Sequence, residues 1–71
     1  MITKNILNTR LRIGQRIAEL RETKGLTQGE LAAATGYLQT NISRIEKGKV
    51  NVSLDILARI VEVMGGSVEI I

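Results

Sequence analysis

Apolar residues recur at helical spacing through most of the chain. Ile13, Ile17 and Leu20 fall at i, i+4 and i+7 and make one stripe, with Arg12, Arg16, Glu19 and Glu22 mostly off it. The pattern predicts a first helix from about Asn8 to Lys24, closed by Gly25 as the left-handed residue past its end. Residues 1–7 either extend that helix or lie loose, and the pattern leaves both open. Thr27-Gln28-Gly29-Glu30 has the form of a capping box, with Leu26 placed as a hydrophobic staple, so a short, small-sided helix is expected over 27–34. Gly36 then breaks it. Ile42 and Ile45 point a third helix inward over 39–47, and Gly48 ends it.

The last third reads differently. Ser53 is a good N-cap and Asp55 suits the first turn, so a fourth helix is expected over 53–64. Leu54, Leu57, Ala58, Val61 and Met64 make one stripe; Ile56, Ile60 and Val63 make a second. A helix apolar on two sides has two surfaces to cover, its own core and one more, which a second subunit would supply. After Gly65-Gly66, residues 67–71 alternate weakly and are rich in β-branched types, which reads as a short strand. No other strand is predicted to pair with it, so its partner would be a copy in another subunit; the alternative is a frayed tail. The expected fold class is therefore all-α, one compact four-helix domain spanning 1–71, with a C-terminal strand paired across a dimer. Ile56, Ile60, Val63, Val68 and Ile70 are its expected dimer interface.

Charge sharpens this picture. Residues 1–49 hold nine of the ten basic residues against four acidic ones, a net of +5, while residues 50–71 carry a net of −2. The asymmetry favours a polyanion bound by the first two-thirds, with an ordinary solvated surface as the plain alternative. Tyr37 is the only aromatic residue, which weakens any mode of binding based on base stacking. With no His, no Cys, no paired carboxylates in a cleft and no phosphate-cradling Gly loop, an enzyme is not expected, nor a metal or cofactor. No apolar run approaches the roughly 20 residues of a membrane span, and Met1–Asn8 lacks a signal-peptide core, so a soluble cytoplasmic protein is expected. Seventy-one residues without disulfide or zinc bury a limited core, which makes oligomerisation the remaining common support.

Leu31-Ala32, Gly36, Ile42, Ile45, Glu46 and Gly48 have the spacing of two short helices joined by a tight turn, a helix-turn-helix. A generic helical hairpin shares that spacing. More specific are Ile13-Gly14-Gln15-Arg16-Ile17, Leu20-Arg21, Gly25-Leu26-Thr27-Gln28, Glu30-Leu31-Ala32, Thr35-Gly36 and Ile42-Ser43-Arg44-Ile45-Glu46-Lys47-Gly48. Together these resemble the phage-repressor-like (XRE, lambda-repressor-like) helix-turn-helix family over about residues 11–64.

The resemblance implies a role for each matching residue. Gln39, Thr40 and Arg44 match positions that touch base edges, where Gln suits adenine and Arg suits guanine. Gln28 matches a residue that holds a phosphate and braces the reading helix. Asn41, Ser43, Lys47 and Lys49 match backbone-contacting positions. Arg21 and Glu46 fall where the family forms an ion pair between its first and third helices; Tyr37 is expected to pack over the turn. Leu38 departs from the pattern, standing where a Ser or Thr cap is usual, and Gly29 lies inside a helix. The implied function is binding of double-stranded DNA at a pseudo-palindromic operator by a homodimeric regulator, a repressor. The alternative is an antitoxin that holds a toxin protein and represses its own operon.

Overall fold

Capping chemistry fixes where three of the four helices begin. In the computed structural model, which describes residues 1–69, α1 spans Lys4–Thr23, α2 Gln28–Thr35, α3 Gln39–Glu46 and α4 Leu54–Val63. α1 starts a turn earlier than its apolar stripe indicates, because Thr3 Oγ1 accepts from the Ile6 N–H at 3.1 Å and caps it. The added turn places Ile2 and Ile6 beside Ile13, facing Val50, Val52 and Leu54 across a shallow hollow. At α2 both halves of the capping box form: Glu30 N–H donates to Thr27 Oγ1 at 3.0 Å, and Thr27 N–H donates to Glu30 Oε1 at 2.9 Å. The second bond holds the Glu30 carboxyl below the usual range. Ser53 Oγ caps α4 by accepting from Ile56 N–H.

Ile17 of α1, Leu31 and Ala32 of α2, Ile42 and Ile45 of α3, and Ile60 and Met64 of α4 form the buried core, with Tyr37 packed on its edge. Thr35 is buried among them, its hydroxyl donating to the Leu31 and Ala32 carbonyls, so no polar group is left unpaired there.

Two expectations are corrected. The predicted C-terminal strand does not form: among the described residues there is no strand, and residues 67–69 are irregular. Gly66 N–H closes the end of α4 on the Val61 carbonyl, and the tail turns back along a groove shared with Leu20 and Val61. A β-branched composition favours strand only where a neighbouring strand fills the ladder, and the described residues offer none. Residue 70, assigned to the strand and the interface, lies outside the described residues. Nor do the two stripes of α4 divide between core and partner: Leu57 and Met64 of the first pack inward along with Ile56, Ile60 and Val63 of the second. Ile60 is 0% exposed and sits at the centre of the core, so it has no surface to offer a partner; Ile56 and Val63 pack beside it. The side turned outward carries Leu54, 68% exposed, with Ala58 and then Val68 of the tail.

α1 and the end of α3 meet across two glycines. A Cβ on Gly14 would fall 2.6 Å from the Glu46 carbonyl oxygen and also against that of Ile45. A Cβ on Gly48 would fall 2.7 Å from Leu11 Cα, and Gly48 is held at φ +69°. Gly25 has a similar φ of +72° but open space around it. Gly48→Ala should therefore combine left-handed strain of about 1–2 kcal/mol with a backbone clash, while Gly25→Ala shows the strain alone. Urea midpoints of the two variants check this, and equal losses would remove the steric role of the seam.

Candidate nucleic-acid interface

The geometry of α3 follows from its two faces. Ile42, Ile45 and Glu46 point inward, which leaves Gln39, Thr40, Asn41, Arg44 and Lys47 exposed and Ser43 half-buried. Among the described residues, none of these exposed side chains makes a hydrogen bond within the protein, and neither Lys47 nor Lys49 lies within ion-pair distance of a carboxylate. Leu38 begins α3 without a side-chain bond; its carbonyl alone accepts from Asn41 and Ile42. The Gln39 side chain reaches back over the start of α2, where a Cβ on Gly29 would stand 3.3 Å from Gln39 Oε1. Gly29 thus leaves room for Gln39 beside Gln28.

The pose of α3 is fixed from behind. Arg21 of α1 meets Glu46 in a fork, Nε to Oε2 at 2.7 Å and Nη2 to Oε1 at 3.1 Å. Arg21 Nη1 also donates to the Leu26 carbonyl at 2.8 Å, and Gln28 Nε2 donates to Glu46 Oε1 at 2.9 Å. One guanidinium and one carboxylate therefore tie α1, the turn before α2, the start of α2 and the end of α3 together. The side chains of Arg21 and Glu46 are 14% and 6% exposed, and the Glu46 carboxylate raises the pKa of Arg21 above its usual value.

The resemblance implies that Gln28 braces the reading helix but does not name its acceptor, Glu46. The two residues stand 18 apart, and no local pattern links them. A signal did exist: a carboxylate placed inward between two helices has more lone pairs than one guanidinium fills, so it calls for a second donor. The bond also changes what Gln28 can do. One of its two amide hydrogens is directed inward, leaving the other for a ligand. Among the described residues no cluster of His, Cys or acidic side chains could hold a metal, and no helix is long and apolar enough to cross a membrane.

With this geometry in place, comparison with known proteins is informative. Residues 12–69 match a family described as a helix-turn-helix domain. An uncharacterised HTH-type transcriptional regulator of Sinorhizobium fredii is 35% identical over 61 residues, covering 86% of this chain and 79% of that protein. One from Archaeoglobus fulgidus is 41% identical over 54 residues, covering 76% and 77%. Among solved structures, the restriction-modification controller protein C.AhdI of Aeromonas hydrophila superposes with a TM-score of 0.82 at 32% identity, covering 84% of this chain and 91% of that one. The clp gene regulator ClgR of Corynebacterium glutamicum gives 0.81 at 34% identity, covering 83% and 76%.

Removing the carboxylate tests the brace. Glu46→Ala leaves Arg21 without its counter-charge and Gln28 without its acceptor, a loss of about 3–5 kcal/mol for a buried pair. Glu46→Gln, which keeps the shape and an acceptor, should lose less. Chemical denaturation measures both; a Glu46→Ala midpoint equal to wild type would show that α3 is held by apolar packing alone.

Proposed function

The chain belongs to the helix-turn-helix domain family of transcriptional regulators, and from that premise we propose that it binds a pseudo-palindromic operator as a homodimer and represses transcription by occupying it. The observation that carries this is the row of uncommitted side chains on α3, held at a fixed angle by a brace on the opposite face. A helix about to enter the major groove needs that combination: donors and acceptors free to meet base edges, on a body that cannot swivel.

In this reading Gln39, Thr40 and Arg44 read bases. Arg44 offers two parallel donors to guanine O6 and N7, and Gln39 offers a donor and an acceptor to adenine. Asn41, Ser43, Lys47 and Lys49 position the protein on phosphates. Gln28 takes part with its second amide hydrogen only, so its contribution is more to orientation than to affinity. In this reading the regulator works in the cytoplasm.

The dimer would form on the outward side of α4, where Leu54, Ala58 and Val68 lie exposed, rather than on the Ile56–Ile60–Val63 side. Two-fold symmetry would set the two α3 helices about 34 Å apart, one turn of DNA. The relatives are named as transcriptional regulators, and the toxin-holding alternative draws no support from those names.

Selection on random DNA followed by binding measurements tests this reading. A recovered palindrome with one-turn spacing is expected; recovery of no preferred sequence would overturn it. Arg44→Ala should then weaken the cognate site by about 1–3 kcal/mol and relax preference at one base, whereas Lys49→Ala should weaken all sequences alike and make the salt slope shallower by about one. For the dimer, Ala58→Glu buries a charge at the contact, so sedimentation should shift to monomer with the fold intact. A variant that stays dimeric would place the interface elsewhere.

A further inference from the structure

The family match begins at residue 12, whereas α1 begins at Lys4. The intervening half-helix carries Lys4 and Arg10 and no carboxylate, and Arg12 follows directly; none of these takes part in the braced site. Lys4, Arg10, Arg12 and Arg16 are the charged residues of positions 1–18, and the first carboxylate is Glu19. Arg16 is paired with Glu19 at 3.3 Å. Among the described residues, Lys4, Arg10 and Arg12 have no carboxylate within ion-pair distance, and Arg12 reaches only the Thr9 hydroxyl at 3.4 Å.

The second observation is where this half-helix sits. Gly48 lies so close to it that an added Cβ would be 2.7 Å from Leu11 Cα and 3.2 Å from the Arg10 carbonyl carbon. Gly48 is flanked by Lys47 and Lys49, and Leu11 by Arg10 and Arg12. Four cations therefore flank, in sequence, the two residues that meet at this seam, Arg10 and Arg12 on opposite sides of Leu11, and Lys4 stands two turns further along α1, on the Leu11 side of the helix. The one carboxylate nearby in sequence, Glu46, is occupied internally by Arg21 and Gln28. Such a concentration of one sign, against the chain just past the end of α3, suits a run of phosphates.

We propose that the N-terminal half of α1 is a second phosphate clamp, in which Lys4, Arg10 and Arg12 extend the grip of Lys47 and Lys49 along the DNA backbone. The clamp carries no base preference, since point charges on long stems meet phosphate oxygens rather than base edges. It rests on the DNA-binding reading above. Its effect is on affinity and salt dependence, and it lengthens the protected stretch of backbone beside each half-site.

The test compares the full chain with a Lys4→Gln/Arg10→Gln/Arg12→Gln variant on the selected operator and on random duplex, from low to moderate salt. The variant should bind both DNAs more weakly and by the same factor, with a log–log salt slope shallower by up to about 2.7, from roughly 0.9 for each phosphate released. Arg16→Gln, on the same helix but already paired, should leave the slope unchanged. A slope that changes by less than one, or an equal change in Arg16→Gln, overturns the clamp while leaving DNA binding by the wild type intact. If the wild type binds no duplex, the parent reading has failed instead. Should the triple variant fail to fold by circular dichroism, Lys4→Gln/Arg12→Gln, which alters only exposed side chains, carries the same comparison, with an expected change of up to about 1.8.

Discussion

The structure depends on one carboxylate. Glu46 ends α3, and its two oxygens accept from α1 through Arg21 and from α2 through Gln28. Without it the four helices would still share an apolar core, but α3 would be positioned only by Ile42, Ile45 and its backbone contact with α1. Apolar contact resists separation and does little to resist rotation. A forked ion pair resists rotation because its two bonds are directional. A buried pair of this kind has a desolvation penalty comparable to its attraction, so its role here is to select one orientation of α3.

Close backbone contact makes that arrangement possible. Gly14 lets α1 press against the carbonyls of Ile45 and Glu46, and Gly48 lets the chain leave α3 directly over Leu11. With larger residues at both places α1 would stand off from α3, and the reach from Arg21 to Glu46 would open. The glycines and the ion pair are thus parts of one joint: steric permission on one side and directional bonding on the other.

Legibility in the sequence varies along the chain for physical reasons. The α2 capping box lies within four consecutive residues, so its chemistry is local and can be read directly from Thr27 and Glu30. The start of α1 is left open by the pattern because the apolar stripe begins at Ile13, while the cap that begins the helix is Thr3. The strand at 67–71 was misread because strand formation is a property of pairs, and composition describes only one member. Which part of α4 is covered does not follow from spacing, because its stripes Leu54-Leu57-Ala58-Val61-Met64 and Ile56-Ile60-Val63 are both apolar; packing against the rest of the core buries Ile60 and Met64 together and leaves Leu54 and Ala58 outward. In the candidate site, the exposed face of α3 follows from Ile42 and Ile45, but the Gln28–Glu46 bond spans 18 positions, so local spacing does not identify Glu46 as the acceptor.

The same joint separates folding from recognition. An eight-residue helix with no side-chain cap at Leu38 has little stability of its own. α3 is helical because Ile42, Ile45 and Glu46 are held by the rest of the molecule. Those three residues occupy one face, and Gln39, Thr40, Arg44 and Lys47 occupy the other. Changes on the outer face leave the core contacts and the brace untouched, so they alter what is read without altering how the helix is held. A capped, self-supporting helix would gain stability from its own ends and would need less bracing. Here orientation is supplied wholly from the inner side, which leaves every outer position free to meet the ligand.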